Sequence, residues 1–267
     1  PYYAPLSLLS WSLVAHFFGL SPLAYHLLSL LIHCTASTTL FFLLRIIATE
    51  LILSKNRTGP SQLYLNSISL LAALFWALSP LRVEQVAWAS ALSYGQSTLL
   101  LLLSLLFYLK HIRLSESQVT ATGWRVASLI TLTLSILSHP VSLPACILYL
   151  LIDILLGRIQ LPLRSKRTRA LLMEKLWFFG VSFLLLIISV SVRFLGEGLW
   201  RPVQGFDQLS LLGRVMQAAY GTVHYALRPW FPFDLAPVYT TFIKFDPLAW
   251  SFVLSLTLVV LAIIFAV

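Results

Sequence analysis

The chain has 267 residues, 59% of them apolar and 10% charged, with a formal net charge of +9. Apolar runs near twenty residues recur, so most of the chain must be solvated by lipid, which excludes a water-soluble globular domain. A transmembrane β-barrel is excluded too, because it needs ten-residue segments of alternating polarity, whereas residues 99–109 are interrupted only by Ser104 and residues 258–267 are apolar throughout. The expected fold is all-α: a polytopic membrane protein with seven or eight membrane helices plus interfacial helices, in one domain over residues 1–267.

The chain opens on Pro1 rather than Met and closes inside an apolar run at Val267, so it is expected to be a fragment. Leu6, Leu9, Leu13 and Phe17 recur at helical spacing, but 6–18 is too short to span and reads as an interfacial helix. Gly19-Leu20-Ser21-Pro22 breaks it, and Pro22 suits the first turn of a first span reaching about residue 47. The polar segment 54–60 is a loop. A second span covers 62–78, stopping at Ser79-Pro80, and a third covers 88–109. The polar stretch 110–123 is loop-like. Helices over 124–138 and 140–156 form a tight hairpin broken at His139-Pro140, and the basic segment 158–175 leads to a span over 176–195. A polar loop at 196–208, a helix over 209–228, an aromatic loop and a last span from about Leu248 complete the series.

If alternate loops share a side, one side collects Arg45, Lys55, Arg57, Lys110, Arg113, Arg125 and the basic residues of 158–175. The positive-inside rule makes that side cytoplasmic, so Arg82, His139 and the loops after Leu195 face outward. The Asn56-Arg57-Thr58 glycosylation pattern falls on the inner side and reads as chance. Positive charge concentrated in short loops beside membrane helices is explained by topology and anionic headgroups, which excludes a nucleic-acid partner. Phosphate-binding G-x-x-x-x-G-K-[ST], HExxH and paired CxxC motifs do not occur. Cys34 and Cys146 fall within predicted helices, where thiols pack as small apolar groups.

Four polar constellations remain. Arg82 and Glu84 precede Trp88 just outside a span. Residues two apart do not share a helix face, so an extended or irregular segment would be needed to aim both at one cavity. There the carboxylate could take a proton from an acceptor hydroxyl and the arginine could clamp a phosphate. The alternative is a surface ion pair beside an interfacial tryptophan.

Arg214, Gln217, Gly221, His224 and Arg228 share one helix face, opposite Val215, Met216, Ala219, Val223 and Ala226. That face is either solvated or lines a polar groove, with Arg228 placed to meet a lipid phosphate. His139, between two helices, can exchange protons near neutral pH or can simply satisfy backbone groups at a helix end. His26, Ser29, His33 and Ser37 share a face of the first span and read as interhelical hydrogen-bonding groups. Asp153 reads as structural, paired near the inner end.

Tyr2-Tyr3-Ala4-Pro5-Leu6-Ser7 and Gly19-Leu20-Ser21-Pro22-Leu23-Ala24-Tyr25-His26 resemble the Tyr-x-Pro-Leu and Gly-Leu-Asn-Pro-x-Gly-Tyr-His patterns of a known family. Those patterns belong to multi-spanning glycosyltransferases of the GT-C fold, the bacterial relatives of the transmembrane, tetratricopeptide-repeat O-mannosyltransferases. Residues 80–88, Pro-Leu-Arg-Val-Glu-Gln-Val-Ala-Trp, resemble the same family's Pro-Leu-Arg-Val-Glu-Ser-Val-Ala-Trp. Glu174-Lys175-Leu176-Trp177-Phe178-Phe179, Ala218-Ala219-Tyr220-Gly221 and Leu235-Ala236-Pro237-Val238-Tyr239 continue the similarity in order.

The resemblance implies an integral membrane enzyme, seated in a bacterial inner membrane with its active face toward the periplasm. It would move a sugar from a polyprenyl-phosphate donor to a protein or glycan acceptor. It also implies a main catalytic base in an acidic loop upstream of Pro1, with Glu84 and His139 as secondary candidates. Arg82, Trp88, Tyr94, His224, Arg228 and Tyr239 would bind the lipid phosphate and sugar. No metal ligands are assigned, and a divalent metal ion is left open as a cofactor. The chain departs from the family pattern after Trp88, where Ala89-Ser90-Ala91-Leu92-Ser93-Tyr94 replaces a charged cluster, and at His139, where relatives often carry Lys. The alternatives are a transporter or flippase for lipid-linked sugars and a catalytically silent scaffold of the same fold.

Overall fold

Pro, Gly and Ser punctuate the apolar runs, and the helices of the computed structural model begin and end at that punctuation. The structure describes residues 3–53, 61–116, 121–159, 165–195, 210–233 and 246–266. Among these residues all regular structure is helical, with no strand.

Helix α1 (Pro5–Phe18) starts with proline in its first turn and stops at Gly19, whose φ of 61° is a left-handed conformation that favours glycine. Helix α2 (Pro22–Leu53) runs past the expected end near residue 47. The extra turn and a half carries Glu50, which pairs with Arg113 of the third long helix at 2.8 Å. Helix α3 (Gln62–Ala77) is capped by Ser61, whose hydroxyl accepts from the Tyr64 N–H. It then bends by 56° into a 3-10 turn (Pro80–Arg82) and the short helix α4 (Val83–Ala87). A second 3-10 turn (Ala89–Ala91) leads into α5 (Leu92–Glu116).

Helix α5 corrects the expected loop at 110–123. The helix continues through residue 116 because His111 and Ile112 are buried, at 8% and 2% exposure, and stay on its packed face. Helix α6 (Thr122–Ser138) ends as expected at His139, which is extended at φ −157°. The second arm of the hairpin is less regular than expected. Residues Pro140–Ala145 form a 3-10 helix containing Pro144, which lacks the N–H an α-helix needs, so α7 proper is only Cys146–Leu155. Gly157 (φ 69°) closes it, with the Arg158 N–H returning to the Asp153 carbonyl. Helix α8 (Lys166–Leu195) begins inside the segment expected to be a basic loop. Helix α9 (Leu211–Leu227) is capped by the Ser210 hydroxyl, and α10 (Trp250–Ala266) follows.

Three helices are long and apolar enough to cross a membrane: Pro22–Ile52, Ala89–Ser115 and Thr168–Val192. A fourth crossing is made if Gln62–Ala77 and Pro80–Ala87 act as one bent span. By length alone, then, the described residues do not reach the expected seven or eight. Helices α6 and α10 have 17 residues each and α7 has 10. At about 1.5 Å per residue a 17-residue helix falls short of the roughly 30 Å hydrocarbon core.

The chain divides into two compact units, Pro1–Leu78 with Arg82–Leu199, and Ser79–Leu81 with Trp200–Val267. The first unit is centred on α5, which packs antiparallel to α6 and against α2. Close approach is possible because small side chains recur every seven residues at the contact. Ser97 and Ser104 of α5 meet Ser135 and Ser128 of α6. The apolar core beside this seam contains Leu43, Leu105, Leu132, Ile136 and Phe178, with Tyr149 stacked on Phe178 at a centroid distance of 4.1 Å. In the second unit α9 packs on α10, and Tyr220 lies 4.9 Å from Phe252 between ring centroids.

Candidate functional site

Antiparallel packing puts the start of α5 beside the end of α6, and two sequence-predicted residues meet there. The rings of Tyr94 and His139 lie 3.9 Å apart between centroids at an interplanar angle of 31°. His139 is 8% exposed, and its Nδ1 accepts a hydrogen bond from the Val141 N–H at 3.1 Å, capping the 3-10 helix that follows. With Nδ1 accepting, the neutral imidazole carries its proton on Nε2. Burial pushes the His139 pKa below its ordinary value, so the ring is neutral at pH 7. Of the two uses expected of this histidine, proton exchange or satisfying a helix end, the structure shows it satisfying the Val141 N–H at a helix start.

Around this pair the same end of the first unit is polar and hydrogen-bonded. Ser97, Ser135 and Ser142 form a buried triad, with Ser142 Oγ 2.5 Å from Ser97 and 2.8 Å from Ser135. The Ser7 hydroxyl of α1 donates to the Ser138 carbonyl at 2.9 Å, and Gln96 Nε2 donates to Ser10 at 2.9 Å. Trp11 Nε1 donates to the Ala89 carbonyl at 3.1 Å.

Arg82 lies in the 3-10 turn between α3 and α4 and is half-buried. Its guanidinium sits over the Trp76 ring, 4.8 Å from the centroid, and its buried Nε has no hydrogen-bond partner among the described residues. Trp76 stacks in turn on His33 at 5.5 Å, and His33 Nε2 bonds the Ala77 carbonyl at 3.1 Å, tying α2 to α3. That is the interhelical role expected of His33. By contrast, Ser37 bonds the His33 carbonyl in its own helix, and the buried Ser29 hydroxyl has no partner among the described residues.

Glu84 departs from expectation. It lies in the first turn of α4, is exposed, and makes no ion pair with Arg82 among the described residues. The segment is helical rather than extended, so residues two apart point to different faces. Trp88 is 43% exposed and joins α4 to the second 3-10 turn.

His224 and Arg228 belong to the second unit. His224 stacks on Tyr220 at 5.7 Å between ring centroids. The expected two-faced pattern of α9 is only partly present. Gly213, Met216 and Ala219 are buried, while Val215 and Ala226, placed on the apolar face by spacing, are exposed. Packing against a single helix, α10, covers a stripe narrower than half the surface. Tyr239 lies outside the described residues.

The opposite end of the first unit carries an ionic cluster of which the sequence reading named only one member as paired. Asp153 is 0% exposed and receives hydrogen bonds from Tyr108 Oη at 2.9 Å to each oxygen. Arg158 Nη1 reaches Oδ1 at 2.6 Å and Lys175 Nζ reaches Oδ2 at 2.7 Å. Lys175 also lies over the Tyr108 ring at 4.7 Å and within 3.5 Å of Glu174, whose other contact is His111 Nε2 at 3.4 Å. The carboxylates of Asp153 and Glu174 thus face Arg158 and Lys175, with His111 in contact with Glu174. Burial works against the Arg158 charge, but the Asp153 carboxylate and the Tyr108 hydroxyl outweigh it and hold its pKa above the usual value.

Lys175, expected in an inner loop, is instead 2% exposed on α8. The signal that could have found it is Asp153 itself, since a carboxylate in an apolar helix requires a buried counter-ion. Between the two ends Ser104, Ser128 and Tyr149 form a further buried polar layer, with Ser104 Oγ 2.6 Å from Tyr149 Oη. Among the described residues no three His, Cys, Asp or Glu side chains gather as a metal-ligand set.

Comparison with known proteins gives no family-model match, no match among curated proteins and no match among solved structures.

Proposed function

We propose that the chain is the membrane domain of a GT-C-type glycosyltransferase that takes a sugar from a polyprenyl-phosphate donor. The acceptor is a protein or glycan on the non-cytoplasmic face of a bacterial inner membrane. In this reading the whole protein has seven or eight membrane helices, the shorter ones entering the bilayer without each crossing it alone, with α1 lying in the interface. The observation that carries it is Arg82: a half-buried guanidinium with an uncommitted, buried Nε, held against Trp76 on the link that leads to the Tyr94–His139 end of α5. A cation held out of bulk water with donors to spare suits a phosphate, which accepts two parallel N–H bonds from a guanidinium.

Transfer is a displacement at the anomeric carbon. The acceptor oxygen forms the new bond as the bond from carbon to phosphate oxygen breaks, and a carboxylate takes the acceptor proton. Arg82 stabilises the departing phosphate, and the Nε2 proton of His139 donates to it. Trp88 and Tyr94 bind around the sugar and lipid phosphate, and His224, Arg228 and Tyr239 are carried from the resemblance as further donor-binding candidates. Glu84, exposed beside Arg82, orients the acceptor rather than pairing with the arginine. Donors aimed where charge develops contribute about 100-fold or more each.

The test is transfer of radiolabelled sugar from a polyprenyl-phosphate donor by the full-length protein in liposomes. Arg82→Ala should lower transfer by about 100-fold and weaken donor binding, with Arg82→Lys intermediate. Unchanged donor binding in Arg82→Ala and Arg228→Ala would refute the phosphate assignment. A transporter of lipid-linked sugars is the second reading, favoured by polar groups at both ends of α5. Movement of donor across the vesicle bilayer without transfer would select it.

A further inference from the structure

Helix α8 presents an unusual face near the basic end of the first unit. Met173, Leu176, Trp177, Gly180, Val181 and Leu184 line a cavity of about 450 Å³ that is almost wholly apolar. A second cavity of about 490 Å³ shares Met173 and Trp177 and adds Arg125, Ala170, Leu171 and Glu174. The two share Met173 and Trp177, so an apolar stem along α8 lies next to a charged head. Gly180 lies in the stem lining, where a Cβ built on it meets no atom within 4 Å.

The stem from Met173 to Leu184 covers eleven residue steps, about 16 Å at 1.5 Å per residue. That is about half the roughly 30 Å hydrocarbon core, the depth of one leaflet. Trp177, 67% exposed, sits where stem and head join, the position of an interfacial anchor.

The head fixes the sign of the ligand. Glu174 is committed to His111 and Lys175 and is only 12% exposed at its side chain. Arg125, on the first turn of α6, is half-buried, and no hydrogen bond or ion pair engages its guanidinium among the described residues. A single cation at the top of a one-leaflet apolar groove complements an acyl chain that ends in a phosphate.

We infer that this groove is a binding site for one anionic phospholipid of the leaflet at the basic end, with an acyl chain along Trp177, Gly180 and Leu184 and the headgroup phosphate on Arg125. The site is separate from the Arg82 and His139 end and does not depend on glycosyl transfer. It gives α8 a fixed lipid neighbour beside the buried Asp153–Lys175 pair.

The experiment is native mass spectrometry of the full-length protein, released from vesicles containing equal phosphatidylglycerol and phosphatidylcholine, with transfer activity recorded in parallel. The wild type should retain one phosphatidylglycerol in preference to phosphatidylcholine. Arg125→Gln should lower that preference by about fivefold, the share of one interfacial cation, and Arg125→Lys should restore most of it. Gly180→Phe, which adds bulk at a stem position where a Cβ has open space, should abolish retention of both lipids. Millimolar inorganic phosphate should leave retention unchanged, because the chain and not the headgroup alone holds the lipid. Equal retention of the two lipids by the wild type, or unaltered retention in Arg125→Gln and Gly180→Phe, overturns the inference. So does a lipid-free dimer lost in Gly180→Phe, which would mean that a second copy covers the face.

Discussion

Removing the Asp153 carboxylate should be the most damaging single change in the first unit. Its two oxygens engage Arg158 at 2.6 Å, Lys175 at 2.7 Å and Tyr108 at 2.9 Å, and nothing of the residue is exposed. In Asp153→Ala the side chain of Lys175, only 2% exposed, loses its main counter-ion. Glu174 at 3.5 Å is a weaker partner already shared with His111. Breaking one half of a buried pair costs about 3–5 kcal/mol, because the surviving charge is left desolvated. For a domain of this size that is a fall in unfolding temperature on the order of 10 °C.

Cys146 supplies the assay. It is buried in the apolar core at the start of α7, whereas Cys34 is exposed, so in a Cys34→Ser background a thiol-reactive dye reports the temperature at which the core opens. The double variant Asp153→Leu, Lys175→Met removes both charges and should recover most of the loss, since an apolar replacement of a buried pair is often neutral or stabilising. The reasoning is refuted if Asp153→Ala unfolds within about 1 kcal/mol of wild type, below the range expected for a broken buried pair. It is equally refuted if the double variant is as unstable as the two single losses added together.

Other expected outcomes follow from the same geometry. Tyr108→Phe deletes both hydroxyl contacts to Asp153 and should cost about 1.5–3 kcal/mol, the range for hydrogen bonds to charged groups, read by the same dye. Ser135→Ala should cost about 1 kcal/mol, whereas Ser135→Leu, forced between Ser97 and Ser142 at 0% exposure, should cost several times more by overpacking the α5–α6 seam. His139 has a folded pKa below its ordinary 6.5, so its neutral form stabilises the fold. That contribution is present above about pH 6.5 and is lost as pH falls through the lower folded value. The opening temperature should drop on acidification, and His139→Asn should flatten that limb of the pH profile.

Helix positions were legible because their signals are local. Pro5, Pro22, Gly19, Ser61 and His139-Pro140 each set a boundary by backbone chemistry that needs no partner. Where the reading missed, a distant partner decided. Residues 110–116 look like loop because Lys110, His111 and Arg113 are polar, yet His111 is held by Glu174 and by the Ala121 carbonyl, and Arg113 by Glu50. The opposite error occurs in the hairpin. Residues 140–156 look like one apolar helix, but Pro144 splits them, and a run of apolar residues alone does not guarantee a crossing.

The candidate site divides along the same line. The Tyr94–His139 contact could not be read from either residue, because it depends on the antiparallel register of α5 and α6, and that register is written in serines seven residues apart rather than in any functional motif. Lys175 is the sharper case. Counting basic residues assigns it to a wet inner loop, and the count cannot separate a cation that sets topology from one that neutralises a buried carboxylate. Asp153 carries the information that separates them. Once Arg158 and Lys175 are assigned to it, Lys110, Arg113, Arg125 and Arg169 remain as the basic residues that the loop count collects on one side, so that count does not rest on the buried pair.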